Sequence, residues 1–213
     1  MDRPKIVVAI DIEKAGPMLF QHPIISIGTC IGDINGNVLQ KWKLNLEVNW
    51  PSEEDLGSFD KDCWEKFWTK LPQTLIESLQ IDSHTQKFGF QKFSTWLDGI
   101  EREFPEEKFN VKFVSDNPAF DIGNIDANLE KYCERKSMMY SSSGNYRSIT
   151  NPCDMLKMVP KNSLKEMMEK IPARHTHDPA DDAEYIYHQY VLADLIRSNI
   201  EHRLSYEAGA IQK

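Results

Sequence analysis

The segment 5–12, Lys-Ile-Val-Val-Ala-Ile-Asp-Ile, constrains the fold more than any other part of the chain. It is short, apolar and rich in β-branched residues, the pattern of a buried central strand. Two more strand-like runs follow at 23–33 and 38–46. Between them, Asp33-Ile34-Asn35-Gly36-Asn37 signals a hairpin, because Asn-Gly supplies the positive φ angles of a tight turn. The chain therefore opens with three meandering strands.

Beyond them the period changes. Trp64, Phe67, Trp68 and Leu71 fall at i, i+3, i+4 and i+7, which predicts one helix over 59–79. A row of aromatics can serve as a base-stacking platform, but at this spacing a core-facing stripe is the favoured reading. Residues 88–103 read as a second amphipathic helix carrying Phe93, Trp96, Leu97 and Ile100, 109–115 as a short strand, and 121–135 as a helix. The region 149–155 is a further candidate strand, after a polar loop at 141–145. Ser163, with Glu166 three residues later, predicts a capping box that opens a helix. Pro179 suits the first turn of a final helix running to about Leu204. This order suits an α/β domain, a mixed sheet with helices on its faces.

A length of 213 residues fits one such domain, with a helical insertion at about 50–105. The four cysteines, Cys30, Cys63, Cys133 and Cys153, form no CxxC pair. That spacing argues against a zinc site and a disulfide framework, and for free thiols in a reducing compartment. No segment nears the roughly 18 consecutive apolar residues of a membrane helix, and the start shows no signal-peptide pattern. A soluble, cytoplasmic protein without a membrane partner is expected. The net charge of −8 and pI near 5.3 run against an ordinary nucleic-acid binder, which carries a basic face.

Three acidic groupings carry chemistry. Asp11 and Glu13 sit two apart at the end of the first strand, so their carboxylates share a face and repel each other unless a cation lies between them. Asp121 follows the 109–115 strand at the start of a helix, where capping would also account for it. Asp116 and Asp126 are nearby competitors. Near the end, His177-Asp178-Pro179-Ala180-Asp181-Asp182 leads into the last helix, placing Asp182 in its first turns.

Asp-x-Glu on the first strand, Asn117-x-x-Phe120-Asp121 in mid-chain and His177 five residues before Asp182 form an ordered set. The set resembles the DEDDh (DnaQ-like) 3′→5′ exonuclease family, that of RNase T, oligoribonuclease and polymerase proofreading subunits. The likeness spans residue 6 to about 195, with 151–156 and 162–167 in agreement. It implies an RNase H-like fold, a mixed β-sheet whose first three strands are antiparallel, flanked by α-helices. It makes Asp11, Glu13, Asp121 and Asp182 the acids that hold two divalent cations, Mg²⁺ or Mn²⁺, and His177 the general base. The partners implied are single-stranded 3′ ends, RNA slightly before DNA, with Gly16, Asn117, Phe120, Lys165 and Arg174 as candidate substrate contacts. A homodimer is implied by resemblance only. One departure stands out: the family usually has a small or hydroxyl residue and a glycine soon after the Glu, whereas this chain reads Glu13-Lys14-Ala15-Gly16-Pro17.

The chemistry explains the residue types. Two cations about 3.5–4 Å apart stabilise both the attacking and the leaving oxygen of a phosphodiester, and hard oxygen ligands favour Mg²⁺ or Mn²⁺ over zinc. Such ions also invert the local field, which answers the acidic composition. Basic residues cluster at 157–177, where Lys157, Lys161, Lys165, Lys170 and Arg174 outnumber Glu166 and Glu169. This stretch suits a phosphate backbone and an ordinary solvated helix face about equally. His175 is the weaker candidate base, lacking an Asp at the matching spacing. The alternatives are a catalytically silent RNase H-like binding module and a DNA-directed, proofreading-type enzyme.

Overall fold

A computed structural model describes residues 3–135, 151–152, 156–157, 159 and 161–211, with side chains up to residue 200. Its sheet is β1 (Lys5–Lys14), β2 (Ile24–Asp33), β3 (Val38–Asn45) and β4 (Asn110–Val114), in the order β3-β2-β1-β4. The first three strands pair antiparallel, as expected, and β4 runs parallel to β1. Gly36, at φ 93°, makes the predicted β2–β3 turn.

The central position of β1 explains its unbroken apolar run. Ile6, Val8, Ile10 and Ile12 face a core shared with α3 (Gln86–Glu103) and α4 (Pro118–Cys133). Val7 and Ala9 face the other way, towards Ala183, Ile186, Tyr187 and Tyr190 of the last helix. With both faces covered, alternation of polar and apolar residues is lost. Each buried aliphatic side chain contributes roughly 1.5–3 kcal/mol.

The helix expected over 59–79 is three pieces: α1 (Lys61–Lys66), a 3₁₀ turn at Trp68–Lys70 and α2 (Gln73–Gln80). Pro72, with no N–H to give, stands between the last two. The predicted stripe is nonetheless core. Trp68 is fully buried with Phe59, Ile76 and Leu79, and Trp64, Phe67 and Leu71 pack around them. This cluster is joined to the end of β1, where Trp68 Nε1 donates to the Lys14 carbonyl (3.2 Å) and Asp60 N to that of Ala15 (2.9 Å).

The expected capping box is displaced. Helix α5 (Lys161–Met168) opens two residues before Ser163, which lies inside its first turn. The final helix, α6 (Pro179–Ile211), starts at Pro179 as predicted and runs longer than expected. The candidate strand at 149–155, the loop at 141–145 and Cys153 fall largely or wholly outside the described residues. Cys30, Cys63 and Cys133 are free, and among the described residues no helix is long and apolar enough to cross a membrane.

Candidate active site

Three elements deliver the four acids to one end of the sheet. Asp11 and Glu13 extend the Val7–Ala9 face of β1 towards α6. Opposite Asp11 on β2 stands Gly28, against the backbone of Pro179: a Cβ there would lie 1.9 Å from the Pro179 carbonyl carbon. The bare glycine lets the start of α6 touch the sheet, which brings Asp182 to the pair on β1.

Asp121 arrives from the opposite side. The Asn117 carbonyl accepts from the Phe120 and Asp121 amides (2.9 Å each) to open α4, and Pro118 occupies its first turn. Ser115 Oγ accepts from Asn117 N (3.1 Å) and donates to an Asp121 carboxylate oxygen, so the strand-to-helix turn orients the acid. The Asp116 carbonyl accepts from Asn151 Nδ2 (2.6 Å), tying the 151–152 segment to this turn.

Asp11 is common to two carboxylate trios. In one it joins Glu13 and Asp182, in the other Asp116 and Asp121, and each trio's oxygens lie within 4.8 Å of one another. All four acids are at most 9% exposed. Burial, reinforced by Glu13, Asp121, Asp182 and Asp116, raises the Asp11 carboxyl well above its ordinary range. Burial, with Asp182, Asp121, Asp178 and Asp116, does the same to Glu13. Asp121 is pushed up to about 7, chiefly by burial and against the Ser115 hydrogen bond. Asp182 is raised by burial although the Thr176 and His177 amides bond to it. Water-excluded carboxylates that raise one another call for positive charge between them, and an all-oxygen donor set fits hard divalent cations.

His177 adopts a left-handed backbone, φ 65°, which a non-glycine residue takes only when its surroundings hold it. Several contacts do so. His177 N donates to Asp182 Oδ2 (3.1 Å), and its ring meets the Phe67 ring edge-on at 5.0 Å. Next to it, Asp178 caps α6 by accepting from Ala180 N (3.0 Å), and Lys43 Nζ on β3 pairs with its other oxygen at 2.6 Å. Burial, then the neighbouring His175, lower the His177 imidazole below its usual value.

The other predicted contacts divide. Phe120 is half-buried, with the Lys14 ammonium 5.6 Å from its ring centre. Lys14 itself turns to the opposite face, where its amine donates to Asn124 Oδ1 and the Met18 carbonyl. Gly16 packs tightly between His22 and Asp60, where a Cβ would lie within 2.6 Å of both. Arg174 folds back on the carbonyls of Ile171 and Ala173 (2.6 and 2.9 Å), while Lys165 and Asn117 are exposed. Asp126 is buried on α4 apart from both trios.

Sequence reasoning under-weighted His175, whose Nε2 lies 3.3 Å from Asp182 Oδ2. It did not anticipate Phe67, Lys43 or Gly28. Only Gly28 left a local signal, a glycine inside a strand, which often marks a close backbone approach.

No protein-family model matches the chain, and no curated protein matches it in sequence. Solved structures do. Cell-death related nuclease 4 (CRN-4) is 20% identical, with a TM-score of 0.55, over 91% of this chain and 64% of that one. The chain thus spans somewhat under two thirds of that relative. The nuclease domain of 3′hExo, a DEDDh family member bound to rAMP, matches at 14% identity and TM-score 0.54 over 92% of each chain. S. pombe Pop2p, in a form with Mg²⁺ and Mn²⁺, matches at 14% and 0.52 over 89% of this chain and 82% of that one. The chain therefore has the DnaQ-like fold of the DEDDh 3′-exonucleases.

Proposed function

We propose that the protein is a 3′→5′ exonuclease that hydrolyses phosphodiester bonds at the 3′ end of single-stranded nucleic acid, RNA before DNA. The observation that carries this reading is the double membership of Asp11. Two carboxylate trios sharing one residue, buried except for the half-buried Asp116, suit two neighbouring hard cations. The fold's neighbours, among them a DEDDh nuclease domain bound to rAMP and a form with Mg²⁺ and Mn²⁺, support a nuclease that acts at 3′ ends with such ions.

In this reading Asp11, Glu13, Asp121 and Asp182 hold two Mg²⁺ or Mn²⁺ ions, which when bound offset negative charge on the reacting phosphate. His177 takes the proton of the attacking water as the new P–O bond forms and the bond to the leaving 3′ oxygen breaks. Its lowered pKa keeps the imidazole neutral, and so able to accept, around neutral pH. Phe67 and the Asp182 carboxylate fix its ring and backbone. Residues at about 50–105 act as a helical insertion within a single exonuclease domain and supply Phe67. A reducing compartment such as the cytoplasm suits cysteines spaced without a CxxC pair.

The test is a time course with 5′-labelled single-stranded RNA and DNA of one sequence, in Mg²⁺, Mn²⁺ or EDTA, beside Asp11→Asn and His177→Ala. A metal-dependent ladder shortening from the 3′ end is expected, faster on RNA. It should be absent in Asp11→Asn and about 10²–10⁴-fold slower in His177→Ala, the usual contribution of a general base. Binding without cleavage would replace this reading with that of a silent module.

A further inference from the structure

His175 belongs to neither carboxylate trio, yet it completes a third cluster with His177 and Asp182, whose donor atoms all lie within 4.8 Å of one another. Its Nε2 is 3.3 Å from Asp182 Oδ2, and its ring meets that of His177 edge-on at 4.5 Å between centres. A tetrahedral zinc ion holding ligands at about 2.0–2.1 Å separates them by about 3.3 Å. The His175–Asp182 pair already stands at that separation. His175 is 46% exposed at the side chain, so an ion has a path from solvent.

The donor chemistry differs from that of the trios. Two imidazoles are borderline donors, and with one carboxylate they make a set that suits Zn²⁺ better than Mg²⁺, whereas the trios offer oxygen alone. We propose that His175, His177 and Asp182 form a transition-metal site for Zn²⁺ or an ion of similar character, with water completing the tetrahedron. The inference rests on the exonuclease reading for its consequence: an ion held there engages the general base and one of the four acids, so zinc switches hydrolysis off while Mg²⁺ supports it.

The experiment is calorimetric titration of the metal-free protein with Zn²⁺, together with Co²⁺ as a visible-absorption probe. The proteins compared are the wild type, His175→Ala, His175→Gln and Asp11→Asn. Intense four-coordinate Co²⁺ bands are expected in the wild type and in Asp11→Asn. Both His175 variants should lose them and bind Zn²⁺ more than roughly 10-fold more weakly, since losing even a residue that only orients a ligand costs that much. Equal Zn²⁺ affinity in the wild type and the His175 variants, or loss of the bands in Asp11→Asn alone, would put the ion among the carboxylates and overturn the proposal. Because binding and absorption are read without substrate, failure here is distinct from failure of the Mg²⁺-dependent nuclease assay.

Discussion

Gly28 on β2 and Pro179 at the start of α6 are in backbone contact, with no room between them for a single methyl group. This contact sets the depth at which Asp182 meets Asp11 and Glu13. A Gly28→Ala substitution has to push the helix start away from the sheet. Overpacking of this kind costs about 1–3 kcal/mol, and at roughly 2–4 °C per kcal/mol for a chain of this size the loss is visible in a thermal melt. Hydrolysis should fall by about 10²-fold or more, since misplacement by about 1 Å has that effect. A variant with wild-type rates would mean that the contact is incidental.

Asp121→Asn separates catalysis from stability. The amide keeps the bond from Ser115 but removes one charge from a buried cluster of repelling carboxylates. Hydrolysis should be abolished, whereas the metal-free variant should melt above the metal-free wild type at pH 8. A lower melting temperature would show that the carboxylate contributes to the fold beyond its charge.

The same repulsion predicts a pH dependence. The Asp121 carboxyl titrates at about 7 in the fold, above the ordinary value of about 3.9 in the unfolded chain. Between those values the folded state holds a proton that the unfolded state has lost, so stability falls as pH rises from about 4 to about 7. Asp11, Glu13 and Asp182 are shifted in the same direction. In EDTA the melting temperature should therefore decline across this range. Mg²⁺ or Mn²⁺ should restore it at the upper end and do little at the lower, where protons occupy the ligands. At 100 times Kd, one bound ion adds about 2.7 kcal/mol, or about 5–10 °C. A metal-free melting temperature that climbs from pH 4 to 7 would contradict the raised values.

Lys43 should matter more to rate than to stability. Its pair with Asp178 is partly exposed, and such pairs contribute about 0–1 kcal/mol. The paired aspartate, however, adjoins the strained His177 and caps α6. Lys43→Met should lower kcat by roughly 10- to 100-fold with little change in KM or melting temperature, and Lys43→Arg should recover most of the loss. Full activity in Lys43→Met would show that the loop at 175–178 holds itself.

What the sequence made legible follows from the range of each interaction. The three opening strands, the Asn-Gly turn and the start of α6 at Pro179 depend on neighbouring residues and emerged as expected. So did the shared face of Asp11 and Glu13, which needs only the two-residue period of a strand. Pro72 stands at the N-cap of α2, just beyond the aromatic period at 64–71 that predicts a single helix, so that period carries no sign of the break. The early start of α5 defeated a capping box inferred from two residues alone. The contacts of Phe67 and Lys43 with the His177 loop join residues more than a hundred positions apart, and no local pattern marks them. His175 was discounted on spacing, although what places it beside Asp182 is the left-handed bend at His177.

Asp11 and Asp182 lie far apart in the sequence, and the cluster closes only when α6 docks on β1 and Gly28. Domains generally fold as units. The Val7–Ala9 face of β1 stays uncovered until that helix arrives, so the sheet and α6 settle together. Until that helix docks on Gly28, Asp182 and His177 are missing from the cluster, and on the exonuclease reading the chain would be inert towards nucleic acid. On that reading, completion of the fold and onset of hydrolysis would be one event.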